Sequence, residues 1–241
     1  MHLTILTGAS RGLGRAVAEQ LLAQGHHVLA LSRRATDLPV PPGGQLTAWA
    51  VDLADAAPVA QRLHDWLAAQ DPTRLQSATL INNAGVVSQL APLSAGDSAD
   101  LAHALRVGLE APMLLTAAFL RATPHWTAPR KVVLVSSGLG RSASYCAAKA
   151  GMDHLARAVA LEEAAKPHGA RIVSLAPGVI DTDMQLQLRS ADAALFPERA
   201  RFAGLKSEGQ LDSPAAAATK LLGYLARPGF GEPPVADVRD A

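Results

Sequence analysis

The chain contains a single cysteine, Cys146, so no disulfide can form within it. Placed next to Tyr145, that thiol is expected to point off the tyrosine's face and to serve as a small core filler. A run of ~18 apolar residues, the length that crosses a bilayer, is absent, and an apolar stretch beginning at Leu3 leaves no room for a cleavable export signal. Charge of one sign is also missing. The 22 Lys and Arg nearly balance the 21 Asp and Glu, for a net charge of +1, and the basic residues are scattered, so no footprint for nucleic acid appears. The eight histidines form neither a His-x-x-x-His pair nor a His/Cys cluster, so no metal site is expected. These absences lead to the expectation of a soluble, cytoplasmic protein whose partners are neither nucleic acid, nor membrane, nor metal.

What is present is an alternation. Short runs rich in Val, Ile and Leu, "LTILTG" (3–8), "HVLALS" (27–32), "LTAWAVD" (46–52), "ATLINNAG" (78–85), "KVVLVSSG" (131–138), "RIVSLAPG" (171–178) and "PVADVR" (234–239), read as strands. Between them lie helical patterns at 12–24, 56–69, 99–122, 143–165 and 214–226, each connection long enough for a right-handed crossover. The fold class expected is α/β: one doubly wound, seven-stranded parallel sheet with helices on both faces, spanning 1–241 as a single domain. The Pro/Gly-rich "ATDLPVPPGGQ" (35–45) reads as a loop within it. The longest irregular segment, 179–212, is polar and poor in helical pattern. It follows a strand end, so a lid over a substrate is expected there.

Between the first strand and the first helix stand Gly8, Gly12 and Gly14 in "TGASRGLG". So tight a turn needs residues without a Cβ, and the helix N-terminus behind it offers N–H groups and a positive dipole end to a pyrophosphate. The spacing is G-x-x-x-G-x-G, not the general dinucleotide fingerprint. The same "GASRG" also matches G-x-S-x-G, the elbow that presents a serine nucleophile, which would make the chain a hydrolase through Ser10. Position argues against that rival: such an elbow takes one oxyanion donor from a loop earlier in the chain, and only nine residues precede Ser10.

A second constellation lies in "SASYCAAKAGMDHLARAVALEE" (142–163), where a phenol and an amine, Tyr145 and Lys149, sit one turn apart on one helix face. An isolated pair of this kind suits a tyrosine at the edge of a core and a lysine snorkelling to water. Here it occurs in order with "TGASRGLG" (7–14), "NNAG" (82–85), "SSG" (136–138) and "APGVIDTDM" (176–184). Together these motifs resemble the short-chain dehydrogenase/reductase family over nearly the whole chain. The resemblance implies the Rossmann strand order 3-2-1-4-5-6-7, with a dinucleotide across the carboxyl ends of the strands. It implies catalytic roles for Tyr145 as proton donor, Lys149 as its partner and ligand of the nicotinamide ribose, and Ser137 as hydrogen-bond donor to the substrate oxygen. A phenol is a weak acid, and a neighbouring ammonium together with an oxidised nicotinamide favours its anion.

Cofactor contacts implied by the resemblance are Gly8, Ser10, Arg11, Gly12, Leu13, Gly14, Asp52 at the adenine, Asn83, Ala84, Gly85, Tyr145, Lys149, Pro177, Gly178, and Ile180 and Thr182 at the carboxamide. The second strand ends in Ser32, Arg33 and Arg34, with no acid to hold a ribose 2′-hydroxyl. With Arg11 as a further cation, NADP(H) is the expected cofactor. The family reading makes the chain a carbonyl reductase of a small-molecule ketone or diketone, assembled as a homodimer or homotetramer; a nonenzymatic NADP(H)-binding sensor is the alternative. "SSGLGR", "YCAAK" and the terminal "VADVRD" look closest to the sepiapterin and benzil reductase branch, in which Asp237 matches a substrate-anchoring carboxylate. A solvated strand-end carboxylate is the plainer reading of Asp237.

Two departures stand out. Gly108 stands where most members of the family it resembles have an Asn that holds a relay water, and it is expected to open space at a helix kink for that water. Only seven residues separate Ser137 from Tyr145, several fewer than in most members. Either the pocket is open on that side and 179–212 closes it, or residues are missing between Arg141 and Ser142; the Cα separation of those two distinguishes the cases.

Overall fold

The computed structural model describes residues 1–34, 36–137 and 142–240. Seven strands form one parallel sheet in the order β3-β2-β1-β4-β5-β6-β7. They are β1 (His2–Thr7), β2 (His27–Ser32), β3 (Gln45–Ala50), β4 (Ser77–Asn82), β5 (Arg130–Val135), β6 (Arg171–Ala176) and β7 (Val235–Asp237). The central strands are buried on both faces, whereas the edge strands β3 and β7 are largely half-exposed or exposed. This gradient explains why the inner strands read as continuous apolar runs.

Alternation along each strand divides the core in two. Leu3 and Ile5 of β1, Leu80 of β4, and Val132 and Leu134 of β5 join one layer, under α2 (Ala56–Ala68), α4 (Ala111–Ala122) and α5 (Ala143–Ala164). Leu6, Ile81, Val133 and Val135 join the other, under α1 (Gly12–Ala23) and α8 (Pro214–Ala226). Most of the expected strands overrun the sheet at their C-terminal ends, furthest at 78–85, where the ladder stops at Asn82, and at 131–138, where it stops at Val135. Residues past those points leave the ladder to line a cleft.

The helical pattern expected over 99–122 is broken. α3 (Ser98–Leu105) runs into a five-residue π turn, Arg106–Glu110, before α4 begins. Gly108 sits in that turn and is buried, and a Cβ on it would lie 3.1 Å from the Cβ of Ala148 in α5. On the same seam, a Cβ on Gly151 would lie 2.8 Å from Leu109. The glycine therefore permits close helix approach at the kink expected there.

Segment 179–212, expected to be poor in helix, holds two: α6 (Asp183–Arg189) and α7 (Arg199–Ser207). Their apolar residues are few but converge. Leu188, Phe196 and Phe202 form a separate small core with Leu90, and the two phenyl rings stack at 5.8 Å. A core this small leaves little periodic signal in sequence. Both ends of the excursion are pinned together, Asp181 N–H donating to Asp212 O and Asp212 N–H to Val179 O, each at 2.9 Å.

Candidate active site

A cavity of about 810 Å³ lies along the carboxyl ends of β1, β2, β4, β5 and β6. Its wall contains all eighteen residues expected from the motifs, from Gly8 to Thr182. Gly8 and Gly12 have positive φ, +72° and +55°, which side chains disfavour. Gly14 is fixed by contact: a Cβ there would lie 2.2 Å from Gly8 O and 2.5 Å from Asn83 Nδ2. Asn83 Nδ2 donates to Thr7 O at 3.0 Å, and the backbone N–H groups of Asn83 and Ala84 both donate to Thr7 Oγ1 at 2.9 Å. The end of β4 is thereby tied to the glycine loop. No side chain caps α1, so its first N–H groups are available to an anion in the cavity. A glycine cradle of this kind, closed to any Cβ, fits a dinucleotide pyrophosphate.

At the second strand, Ser32 Oγ donates to Arg34 O at 2.5 Å, shaping the turn that presents exposed Arg33 and Arg34. Among the described residues neither arginine has an ion-pair partner. Arg11 does: its Nη1 meets Asp183 Oδ2 at 2.8 Å across the mouth of the cavity, with both side chains about 69% exposed. So open a pair is worth little, and an arriving phosphate can compete for Arg11. Asp52 faces the cavity while its Oδ1 accepts from Ala54 N–H at 2.9 Å. Thr182 occupies the N-cap position of α6, yet its hydroxyl makes no capping bond.

Tyr145 and Lys149 are each 7% exposed. Lys149 Nζ donates to Val135 O at 2.7 Å, lies 5.2 Å from the Tyr145 ring centre, and would be 3.8 Å from a Cβ on Gly85. The amine thus faces the cavity instead of snorkelling out. Ser137 lies in the same wall, one residue past Ser136. The start of α5 is held by three buried hydroxyls, with Ser88 Oγ 3.2 Å from Ser142 Oγ and 2.7 Å from Ser144 Oγ. At its far end, buried Glu163 accepts from Ala170 N–H at 2.8 Å and faces buried Arg130 at 3.8 Å.

One expectation changes, and one open reading is decided. Cys146 is exposed, because one residue on from buried Tyr145 is ~100° around the helix, and that direction is solvent here. Asp237 does not line the cavity. Arg239 takes its carboxylate at both oxygens, Nε to Oδ1 at 2.9 Å and Nη2 to Oδ2 at 2.5 Å, and holds it below the usual carboxylate range. The separation of Arg141 from Ser142 lies outside the described residues. Sequence reasoning missed Asp183, His103 and Ser136 in the cavity wall; none belongs to a motif whose chemistry names it.

Residues 2–193 match the family model described as short chain dehydrogenase. The chain belongs to the short-chain dehydrogenase family. It is therefore an oxidoreductase, which removes the hydrolase reading of Ser10. It is 35% identical to a benzil reductase, (S)-benzoin forming, of Bacillus cereus, covering 89% of this chain and 90% of the relative. It is also 35% identical to the sepiapterin reductase of Rattus norvegicus, covering 94% and 92% respectively. Among solved structures, an Agrobacterium tumefaciens protein assigned as a 2-deoxy-d-gluconate 3-dehydrogenase, with bound NADP, superposes with a TM-score of 0.76 at 27% identity, covering 98% of this chain and 94% of that one.

Proposed function

We propose that this oxidoreductase is an NADPH-dependent carbonyl reductase acting on a small ketone or diketone. The observation that carries the reading is the inward-facing pair Tyr145 and Lys149 in the wall of the cavity that begins at the glycine loop. When bound, the nicotinamide supplies the hydride. The glycine loop and the α1 N-terminus hold the pyrophosphate, Arg33 and Arg11 hold the 2′-phosphate, and Asp52 meets the adenine. Asn83, Ala84 and Gly85 shape the wall at the end of β4, and Pro177, Gly178, Ile180 and Thr182 position the carboxamide end. Ser137 polarises the substrate carbonyl, and Tyr145 Oη delivers the proton to its oxygen. Lys149 holds positive charge beside the phenol and reaches the ribose.

Segment 179–212 acts as the substrate lid within this single domain. Its pinned ends, and a small core shared with Leu90, set α6 and α7 beside the cavity. Relatives that reduce benzil and sepiapterin favour an adjacent dicarbonyl as substrate. A cytoplasmic location fits the single cysteine. The test is NADPH oxidation with a panel of ketones and diketones that includes benzil: turnover of a diketone with NADPH, and far less with NADH, supports the reading, whereas no turnover of any carbonyl refutes it.

A further inference from the structure

Helix α5 carries a carboxylate that the proposed proton chemistry leaves unused. Asp153 stands one turn beyond Lys149 and two beyond Tyr145, on the same face. Its Oδ1 accepts two hydroxyl hydrogen bonds, from Ser136 Oγ at 2.9 Å and from Ser174 Oγ at 2.6 Å. A carboxylate can only accept, so both serines must donate, and such charge-assisted bonds are the stronger kind. Ser174 is wholly buried in β6, and Ser136, 6% exposed, is the first residue past β5. One oxygen therefore joins the catalytic helix to the end of β5 and to the interior of β6.

The place of that junction matters. Beyond Val135, β5 has left its ladder, and Ser136 keeps one backbone bond, its N–H to Leu175 O at 2.8 Å. The next residue is Ser137. Lys149 grips Val135 O and Asp153 grips Ser136 Oγ, so α5 holds two consecutive residues just before the serine that must aim at the substrate oxygen. We propose that Asp153 is a positioning residue that sets Ser137 against Tyr145 through Ser136. This rests on the reading of Ser137, Tyr145 and Lys149 as the reacting groups.

The test uses the full chain with NADPH and benzil. Asp153→Ala should lower kcat by about 10-fold or more, since small misplacements at a reacting centre are costly, with NADPH affinity changed by less than about twofold. Asp153→Asn keeps an acceptor oxygen and should return kcat to within about threefold of wild type. Ser136→Ala should reproduce most of the loss and Ser174→Ala little of it. A purely structural staple would lower the melting temperature of these variants without this order in kcat. Full turnover in Asp153→Ala, or equal loss in Asp153→Asn, overturns the proposal; if Asp153→Ala does not fold, equal effects of the two serine variants do. A readout independent of substrate is amide hydrogen exchange at 135–137 in the NADPH complex, expected to quicken in Asp153→Ala and Ser136→Ala but not in Asp153→Asn; unchanged exchange in all three overturns it. The underlying reading fails separately, if Tyr145→Phe retains turnover.

Discussion

At Tyr145, the surroundings decide what a phenol can do. The ring is buried in the cavity wall, and Lys149 lies over it, 5.2 Å from its centre. Phe at this position keeps the packing and removes only the hydroxyl, so the loss reports proton transfer. Tyr145→Phe is expected to lower kcat by about 10²-fold or more while NADPH still binds, because general acid catalysis contributes about 10² to 10⁴. Turnover and fluorescence titration of NADPH check the two halves. Arg33 is argued on charge. Arg33→Ala should weaken NADPH about tenfold and leave NADH nearly untouched, since a charge-assisted hydrogen bond contributes about 1.5–3 kcal/mol. Equal loss for both cofactors would make Arg33 a surface residue. Residues such as Tyr145, Lys149 and Gly14 were legible in the sequence because each stands in a local pattern: four positions apart on a helix, or within one tight turn. Asp153, Ser88 and Asp183 were not, since each acquires its role from partners far along the chain that only the folded sheet brings near.

At the scale of elements, the seam between the π turn and α5 is built from glycine on both sides. Gly108 meets Ala148, which is adjacent to Lys149, and Gly151 meets Leu109. Gly108→Ala gains up to about 1 kcal/mol of helix propensity but must push Ala148 away by a few tenths of an ångström. Because α5 carries Tyr145 and Lys149, the proposed reacting pair, the expected result is a several-fold fall in kcat with a small change in melting temperature. Unaltered kcat would show that α5 yields without moving Tyr145. The strands and the five long helices were legible because burial on a sheet imposes strong apolar periodicity. The break at 106–110 was signalled only by Gly108, whose contact with Ala148 comes from a helix later in the chain. The two helices of 179–212 escaped notice because they bury few residues, chiefly against each other.

The molecule as a whole separates its two ends. The carboxyl ends of the strands hold the cavity, and two helix faces remain for assembly. Leu105, Met113 and Leu161 are 37%, 45% and 77% exposed on α3, α4 and α5. A homo-oligomer through these helices is expected, and a monomer by light scattering at micromolar concentration would refute it. At the opposite end, the start of β1 and β2 gathers His2, His26 and His27. His26 stacks on His2 at 4.9 Å, and its Nδ1 is 3.3 Å from Thr4 Oγ1. Burial first, and the charge of His2 second, push His26 from 6.5 down to about 4, and burial lowers His27 as well. The folded state therefore binds fewer protons than the unfolded chain between these values. Stability supplied by neutral His26 is complete above about pH 6.5 and drains away as the pH falls toward about 4. The ring is only half-buried, so solvent screening reduces the effect to on the order of 1–2 kcal/mol. Denaturant melts at about pH 7 and about pH 4.5 check this against His26→Gln. The variant should lose less stability on acidification than the wild type by about that amount, and an identical loss in both would overturn the assignment. Because the cluster lies across the sheet from the cavity, the same substitution should leave kcat at neutral pH unchanged.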